Sequence, residues 1–261
     1  MKTILRNQII SYLILLFLLV INISESALVL MHDDILAIAS TSDSLSNWVV
    51  ILYGLILFGG FPLIAVVIAL NRDDLQRLNV DRLYVLLLLV AGILAFYELP
   101  YNCFSGIAFI YLVYALLSKK IKLGVPDRSA LRISLWIVGI FAITLLLINS
   151  SLNIPKIAQN LQYFVSELIP GSIFEEAFYR GLLFMFLKDM RLSESKIFYI
   201  QAFLFWISHI NYLIQNPFTF WIFIPVLGLV LGYIVLRTRS IGVSTIAHVL
   251  VNVITVSLSL R

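Results

Sequence analysis

The chain alternates long apolar runs with short polar stretches. A helix that crosses the ~30 Å hydrocarbon core of a membrane takes about 20 apolar residues, and fewer when its polar ends reach the interface. Nine candidate runs cover roughly residues 9–23, 48–70, 83–97, 103–117, 133–148, 161–187, 197–214, 218–236 and 241–260. The pattern predicts an all-α fold, a polytopic transmembrane helical bundle with eight or nine transmembrane helices.

Composition supports a membrane protein. Hydrophobic residues make up 61% of the 261 residues and charged residues only 12%, whereas a soluble domain carries about 25% charged residues. Aromatic residues reach 13%, which suits a surface that meets acyl tails and headgroups. This composition excludes a soluble globular enzyme.

Basic residues concentrate in every second loop. Lys and Arg beside membrane segments are retained on the cytoplasmic side, and most of the 18 basic residues fall in stretches 2–6, 72–82, 119–132, 188–196 and 237–239. The longest opposite stretch, 24–47, holds four acidic residues, Glu25, Asp33, Asp34 and Asp43, and no basic residue. We therefore predict a multi-pass plasma-membrane protein with a cytoplasmic N-terminus. Its net charge of +4 reflects topology and anionic lipid, and no nucleic-acid partner is expected.

The first run also has the basic start and apolar centre of a signal peptide. We favour an uncleaved helix, and either interpretation leaves the other eight helices in the same orientation. The single cysteine, Cys103, excludes an intramolecular disulfide and a CxxC pair. Without a repeat, low-complexity tract or flexible linker, the chain is predicted to form one bundle.

The sixth run contains a cluster of ionisable residues. Such side chains cost several kcal/mol inside a membrane and are candidate functional groups. Glu176 and Arg180 are four residues apart on one helix face, so they can neutralise each other as an ion pair. Glu175 lies about 100° round the helix and is left as a candidate general base. Alternatively, Ser172 and Glu175 have the spacing of a capping box, and an ion relay would also explain acidic residues here.

Two further runs carry histidines. His209 lies in the seventh run, and His248 lies in the ninth, four residues before Asn252. Interhelical hydrogen bonding is the alternative role for such groups. At a helical rise of 1.5 Å per residue, four residues lie ~10 to ~18 Å from the cytoplasmic ends of their runs: Glu175, His209, His248 and Asn252. That common depth predicts one water-accessible pocket.

These residues resemble a known family, the CPBP intramembrane proteases, also called the CAAX protease and bacteriocin-processing or Abi family. The family carries Glu-Glu-x-x-x-Arg, then Phe-x-x-x-His, then His-x-x-x-Asn, each on its own transmembrane helix. The matching residues here are Glu175, Glu176 and Arg180, then Phe205 and His209, then His248 and Asn252. The resemblance covers roughly residues 161–260. It implies a catalytic core over 151–261, with 1–150 supplying N-terminal helices of the same bundle.

The resemblance implies a role for each residue. Glu175 and His209 would activate a water for attack on a peptide carbonyl, and His248 and Asn252 would stabilise the oxyanion. Glu176 and Arg180 would support the site. The implied activity is intramembrane endopeptidase action, by CAAX-type or bacteriocin and peptide-precursor processing, on a peptide or membrane-protein substrate.

A metal is a second possibility at this site. Glu175, His209 and His248 could supply the His₂Glu set of a catalytic zinc. The helical His-Glu-x-x-His motif of zincins is absent from the sequence, and an activated water needs no metal. We expect that no cofactor is required, with Zn as the alternative. A catalytically silent scaffold or binding protein of the same fold is the main rival function, and a transporter is the other.

Overall fold

The computed structural model describes residues 2–30, 60, 62–94, 103–118, 123–124, 126–148 and 172–259. Within these residues the chain is a helical bundle without a β-strand. The predicted outer stretch beyond residue 30, residues 48–59 and 61 of the 48–70 run, and residues 161–171 of the sixth run lie outside the described part. The all-α prediction is confirmed.

Five α-helices and one 3₁₀ helix form the described N-terminal part. In chain order they are α1 (Lys2–Leu30), α2 (62–70), the 3₁₀ helix (Arg72–Leu78), α3 (Arg82–Leu94), α4 (Cys103–Ser118) and α5 (Arg128–Ile148). The 3₁₀ helix falls where the sequence predicts a basic inner loop. It ends at Asn79, whose left-handed backbone conformation is one that asparagine tolerates better than most residues.

The C-terminal part contains helices α6 to α10. Helix α6 is made of Ile173–Glu175, a π-helical stretch Glu176–Leu182 and Leu183–Asp189. Helix α7 is Glu194–Ile207, and α8 is the short Tyr212–Gln215. Helix α9 joins a π-helical stretch Thr219–Phe223 to Ile224–Thr238, and α10 is Ile241–Ser259. π-Helical stretches are rare and occur frequently at functional sites.

One predicted helix is interrupted. The apolar run 197–214 was expected to form a single segment, but α7 ends at Ile207 and tight turns separate it from α8. The Ser208 hydroxyl donates to the Phe205 carbonyl oxygen at 2.8 Å, and His209 Nδ1 lies 2.7 Å from the same oxygen. These side-chain bonds compete with the helical pattern. His209 therefore lies just beyond the helix end rather than within a continuous span.

Two described helical segments have the length and hydropathy of membrane spans, Arg6–Ser24 and Thr219–Thr238. Shorter apolar segments lie at Arg82–Leu94, Gly106–Ser118, Leu131–Phe141 and Ile241–Ile254. The described part therefore contains apolar helices, as predicted. It does not confirm the number of eight or nine spans, which stays a prediction.

Helix α6 lies inside the bundle. Phe178, Tyr179 and Leu182 are fully buried, and α6 contacts α1, α7, α10 and the 3₁₀ helix. Apolar side chains of these elements surround it in one continuous core. Because the bundle encloses α6 on several sides, ionisable groups on this helix must find partners within the protein.

The predicted cytoplasmic loops meet at one end of the bundle. Asp189, after α6, accepts hydrogen bonds from Tyr12 and Arg77, and Arg239 pairs with Glu194. The loop before α5 joins this end, because the Arg82 amide donates to the Gly124 carbonyl at 3.2 Å. The helix order therefore brings together the basic loops that the charge pattern assigns to one membrane face.

Candidate active site

The predicted ion pair is present in α6. Arg180 Nη1 lies 3.1 Å from Glu176 Oε1, and neither side chain is exposed to solvent. Both residues belong to the π-helical stretch of α6. Since an isolated charge is costly in such surroundings, each residue of the pair makes the burial of the other tolerable.

Arg180 also contacts α7 and α9. Its Nη2 donates to the Gly228 carbonyl oxygen at 3.4 Å, and its guanidinium lies 4.3 Å from the centre of the Phe205 ring. Gln201 donates to the same Gly228 oxygen at 3.2 Å. A cation over an aromatic ring is stabilised by the negative face of the ring. Phe205 of the sequence motif thus contacts the arginine of the preceding motif.

Glu176 has two further partners, both on α10. His248 Nδ1 lies 2.9 Å from Glu176 Oε1, and the Ser244 hydroxyl donates to Glu176 Oε2. Ser244 is fully buried and was not among the predicted site residues. Its spacing offered a signal, because Ser244 precedes His248 by four residues and shares its helix face. Glu176 is therefore bonded to α10 as well as to Arg180.

Glu175 faces both site histidines. Its Oε1 lies 3.6 Å from His209 Nε2, and its Oε2 lies 3.7 Å from His248 Nε2. The Glu175 and His209 side chains are 19% and 20% exposed, whereas His248 is 3% exposed. Helices α6 and α10 and the turn after α7 thus meet at one carboxylate, and this carboxylate remains reachable from outside the core.

Hydrogen bonding indicates which ring nitrogen of His209 and of His248 carries a proton. His209 Nδ1 faces the Phe205 carbonyl oxygen at 2.7 Å, and His248 Nδ1 faces the Glu176 carboxylate at 2.9 Å. Both oxygens accept hydrogen bonds only, so each Nδ1 carries the proton. In the neutral rings the two Nε2 atoms that face Glu175 are therefore acceptors.

Asn252 lies one turn beyond His248 on α10. It is half-buried and shares the face of His248. The structure thus brings Glu175, His209 and His248 together and places Asn252 next along the same helix face. The catalytic role of each of these residues stays a prediction at this point.

The capping-box interpretation of Glu175 requires Ser172 to act as the N-cap residue, which it does not do. Ser172 has helical backbone angles and makes no side-chain capping bond, whereas an N-cap residue has non-helical angles and accepts a bond through its side chain. The buried Ser172 hydroxyl has no hydrogen-bond partner among the described residues. The capping box is therefore not formed.

The residues of the zinc alternative are Glu175, His209 and His248. Among the residues that the structure describes, no group of three or more His, Cys, Asp or Glu side chains is arranged to hold a metal ion. Glu176 is occupied by Arg180, Ser244 and His248. The zinc set of Glu175, His209 and His248 is thus not formed in this geometry.

The described residues form a helical bundle with a carboxylate and imidazole cluster inside its apolar core. Residues 156–254 match the family model described as type II CAAX prenyl endopeptidase Rce1-like. The match covers less than half of the 261 residues and confirms the predicted resemblance to the CPBP and CAAX protease family, whose members are membrane-embedded proteases. No curated protein and no solved structure matches the chain.

Proposed function

We propose that the protein is an intramembrane endopeptidase of the CAAX type that hydrolyses a peptide bond with a water activated by Glu175 and His209. The observation that carries the proposal is the position of Glu175, with two histidine Nε2 atoms within 3.7 Å of its carboxylate. The family of residues 156–254 supports a peptidase. The proposal also includes eight or nine membrane spans and a location in the plasma membrane.

The acceptors around Glu175 suit a substrate water. The Glu175 carboxylate and the unprotonated Nε2 atom of His209 each offer a lone pair, and a water offers two protons. Water would donate one proton to Glu175 and one to His209 Nε2, leaving its own lone pair directed at a carbonyl carbon. A base within hydrogen-bond reach of the nucleophile is what general-base catalysis requires.

The reaction then has two steps. As the water oxygen bonds to the carbonyl carbon, Glu175 takes a proton and the carbonyl electron pair moves to oxygen. The carbon–nitrogen bond then breaks, and the leaving nitrogen takes the proton from Glu175. The products are a new carboxyl group and a new amine.

We assign the oxyanion to His248 and Asn252. Nδ1 of His248 is used by Glu176, so a proton that Nε2 takes up from solvent makes Nε2 the donor to the oxyanion, and the Glu176 carboxylate stabilises the resulting positive charge. The Asn252 amide is a second donor. Preorganised donors at the developing oxyanion are worth a large share of catalysis in acyl transfer.

The proposed substrate is a peptide or membrane protein with a prenylated C-terminus.

The proposed mechanism uses no metal. Incubation of the purified protein with a zinc chelator tests the absence of a metal from the mechanism. Activity that survives chelation supports the proposal, and activity lost on chelation and restored by Zn²⁺ supports the zinc alternative instead.

A cleavage assay tests the function itself. The purified protein, in detergent or vesicles, is offered a library of prenylated peptides, matched unprenylated peptides and longer bacteriocin-type leader peptides, and the products are mapped by mass spectrometry. Cleavage near the prenylated cysteine supports the proposal. Cleavage of leader peptides alone would move the assignment to precursor processing, and no cleavage of any class would favour a scaffold.

A further inference from the structure

A buried segment outside the matched region contacts two helices of the candidate site. Residues 79–84, between the 3₁₀ helix and the first turn of α3, precede residues 156–254 of the family match. We call these residues the 79–84 segment. Its hydrogen bonds reach α6, which carries Glu175 and Glu176, and the start of α10, which carries His248.

Two side chains of the segment bond the backbone of α6. Asn79 Nδ2 donates to the Arg180 carbonyl oxygen at 3.0 Å, and the Tyr84 hydroxyl donates to the Ile173 carbonyl oxygen at 2.9 Å. Tyr84 is fully buried and Asn79 is nearly so. The two bonds fall on either side of Glu175 and Glu176 and fix the position of this part of α6.

The same segment bonds the N-terminal end of α10. Asp81 Oδ2 accepts from the Ser240 hydroxyl at 2.8 Å, and Asp81 Oδ1 accepts from the Gly242 amide at 3.3 Å. The Ile241 amide donates to the Asn79 carbonyl oxygen at 2.9 Å. Asp81 is only 2% exposed, so its carboxylate depends on these donors.

Close packing accompanies these bonds. A Cβ atom on Gly242 would lie 2.5 Å from the Tyr84 amide nitrogen and 2.7 Å from Asp81 Oδ1. A Cβ atom on Gly181 would lie 3.1 Å from the Leu78 carbonyl oxygen. Gly242 of α10 therefore approaches the segment where a Cβ atom has no room, and Gly181 of α6 approaches Leu78, just before the segment, where a Cβ atom would force a shift of a few tenths of an ångström.

We infer that Asp81 and Tyr84 are positioning residues that hold α6 and α10 at a fixed separation. The bond between His248 and Glu176 and the contact between His248 and Glu175 both require that separation. The inference rests on the proposed function for its kinetic consequence only. Neither residue touches the reacting atoms. A displacement of about 1 Å at a catalytic constellation can cost on the order of 100-fold in rate.

Histidine NMR tests the inference without catalysis. The chain has three histidines, so full-length protein labelled with ¹⁵N-histidine in a His32→Gln background gives signals from His209 and His248 alone. Wild type should show His248 with a protonated, strongly hydrogen-bonded Nδ1. Asp81→Ala should shift the His248 signals towards a mixture of tautomers, because α10 loses two bonds to the segment.

Kinetics of the same variants give the second measurement. Asp81→Ala is expected to lower kcat by about 10- to 100-fold with KM nearly unchanged, since substrate binding groups stay in place. Asp81→Asn keeps an acceptor oxygen and should restore part of both readouts. Asp73→Ala is the matched control, because the Asp73 side chain is 96% exposed, and it should match wild type.

Tyr84→Phe covers the case in which Asp81→Ala does not fold. It keeps the ring and removes only the hydroxyl that bonds Ile173, so it should fold, alter the His209 and His248 signals and lower kcat. Folded Asp81→Ala or Tyr84→Phe protein with wild-type histidine signals and wild-type kcat would overturn the inference. A wild type that cleaves nothing would overturn the proposed function, and the NMR comparison would still decide the positioning role.

Discussion

His248 bonds Glu176 through Nδ1 at 2.9 Å while its Nε2 faces Glu175 at 3.7 Å. One imidazole ring thus contacts both adjacent glutamates of α6. The Glu176 side is closed, with Arg180 and Glu176 fully buried, and the Glu175 side is open to about a fifth. The two carboxylates therefore have different surroundings, which suits one for support and the other for chemistry.

Removal of either residue of the buried ion pair should destabilise the fold. Glu176→Ala or Arg180→Ala leaves an uncompensated buried charge, which costs about 3 to 5 kcal/mol in the free energy of unfolding. Thermal unfolding in detergent measures the loss. Arg239→Ala is the control, because the pair of Arg239 with Glu194 is exposed and is worth about 0 to 1 kcal/mol. If Glu176→Ala and Arg180→Ala were both as stable as Arg239→Ala, the pairing of Glu176 with Arg180 would be wrong.

Asn252 should matter for rate and not for folding. Asn252→Asp keeps the shape of the side chain and replaces the donating amide with a carboxylate, which repels an oxyanion. We expect Asn252→Asp and Asn252→Ala to lose roughly 10²- to 10³-fold in kcat, and Asn252→Ala to keep nearly the thermal stability of wild type. Steady-state kinetics on a cleaved peptide measure the effect. Near wild-type rates in both would exclude Asn252 from the oxyanion site.

Labelling tests the predicted orientation. In a Cys103→Ser background, Lys188→Cys is expected to react with an impermeant maleimide only from the cytoplasmic side, because it lies at the exposed end of α6, where the basic stretch 188–196 begins. Asn216→Cys, on an exposed position in the turn before α9, should react only from the opposite side. Labelling of both positions from one side would contradict the topology.

Asp81 should make stability depend on pH. Burial raises the pKa of Asp81 above its ordinary value, against the opposing effect of its hydrogen bonds with Ser240, Tyr84 and Gly242. The folded state therefore holds the proton more tightly than the unfolded state, and stability falls as the pH rises from about 4 through the raised pKa. Melting temperatures of wild type and Asp81→Asn across this range should differ in slope. Parallel pH profiles would contradict the raised pKa.

The helix pattern and the ion pair could be predicted from the sequence. The apolar runs of α3, α4, α5 and α10 match observed helices closely, because continuous apolar stretches of that length favour helix. The bond between Glu176 and Arg180 follows from their spacing on one helix face. Both predictions depend only on residues that are close together in the sequence.

Long-range contacts could not be predicted in the same way. Nothing in the local pattern indicates that Asp81 bonds Ser240 and Gly242, since these residues are brought together only by packing of α3 against α10. The break after Ile207 was missed because the polar residues Ser208, His209 and Asn211 were included in the apolar run 197–214. The side-chain bonds of Ser208 and His209 to Phe205 interrupt the helix there.

Cleavage by Glu175→Gln tests the central claim most directly. The substitution keeps the shape and one acceptor oxygen of the side chain but removes the carboxylate that takes a proton from water. General-base catalysis contributes about 10²- to 10⁴-fold, so the variant should be folded, as stable as wild type and slower by that factor. Glu194→Gln makes the same chemical change at an exposed carboxylate and should retain full activity. Cleavage of the same substrate by Glu175→Gln at more than about a tenth of the wild-type rate would contradict the assignment of Glu175 as the general base.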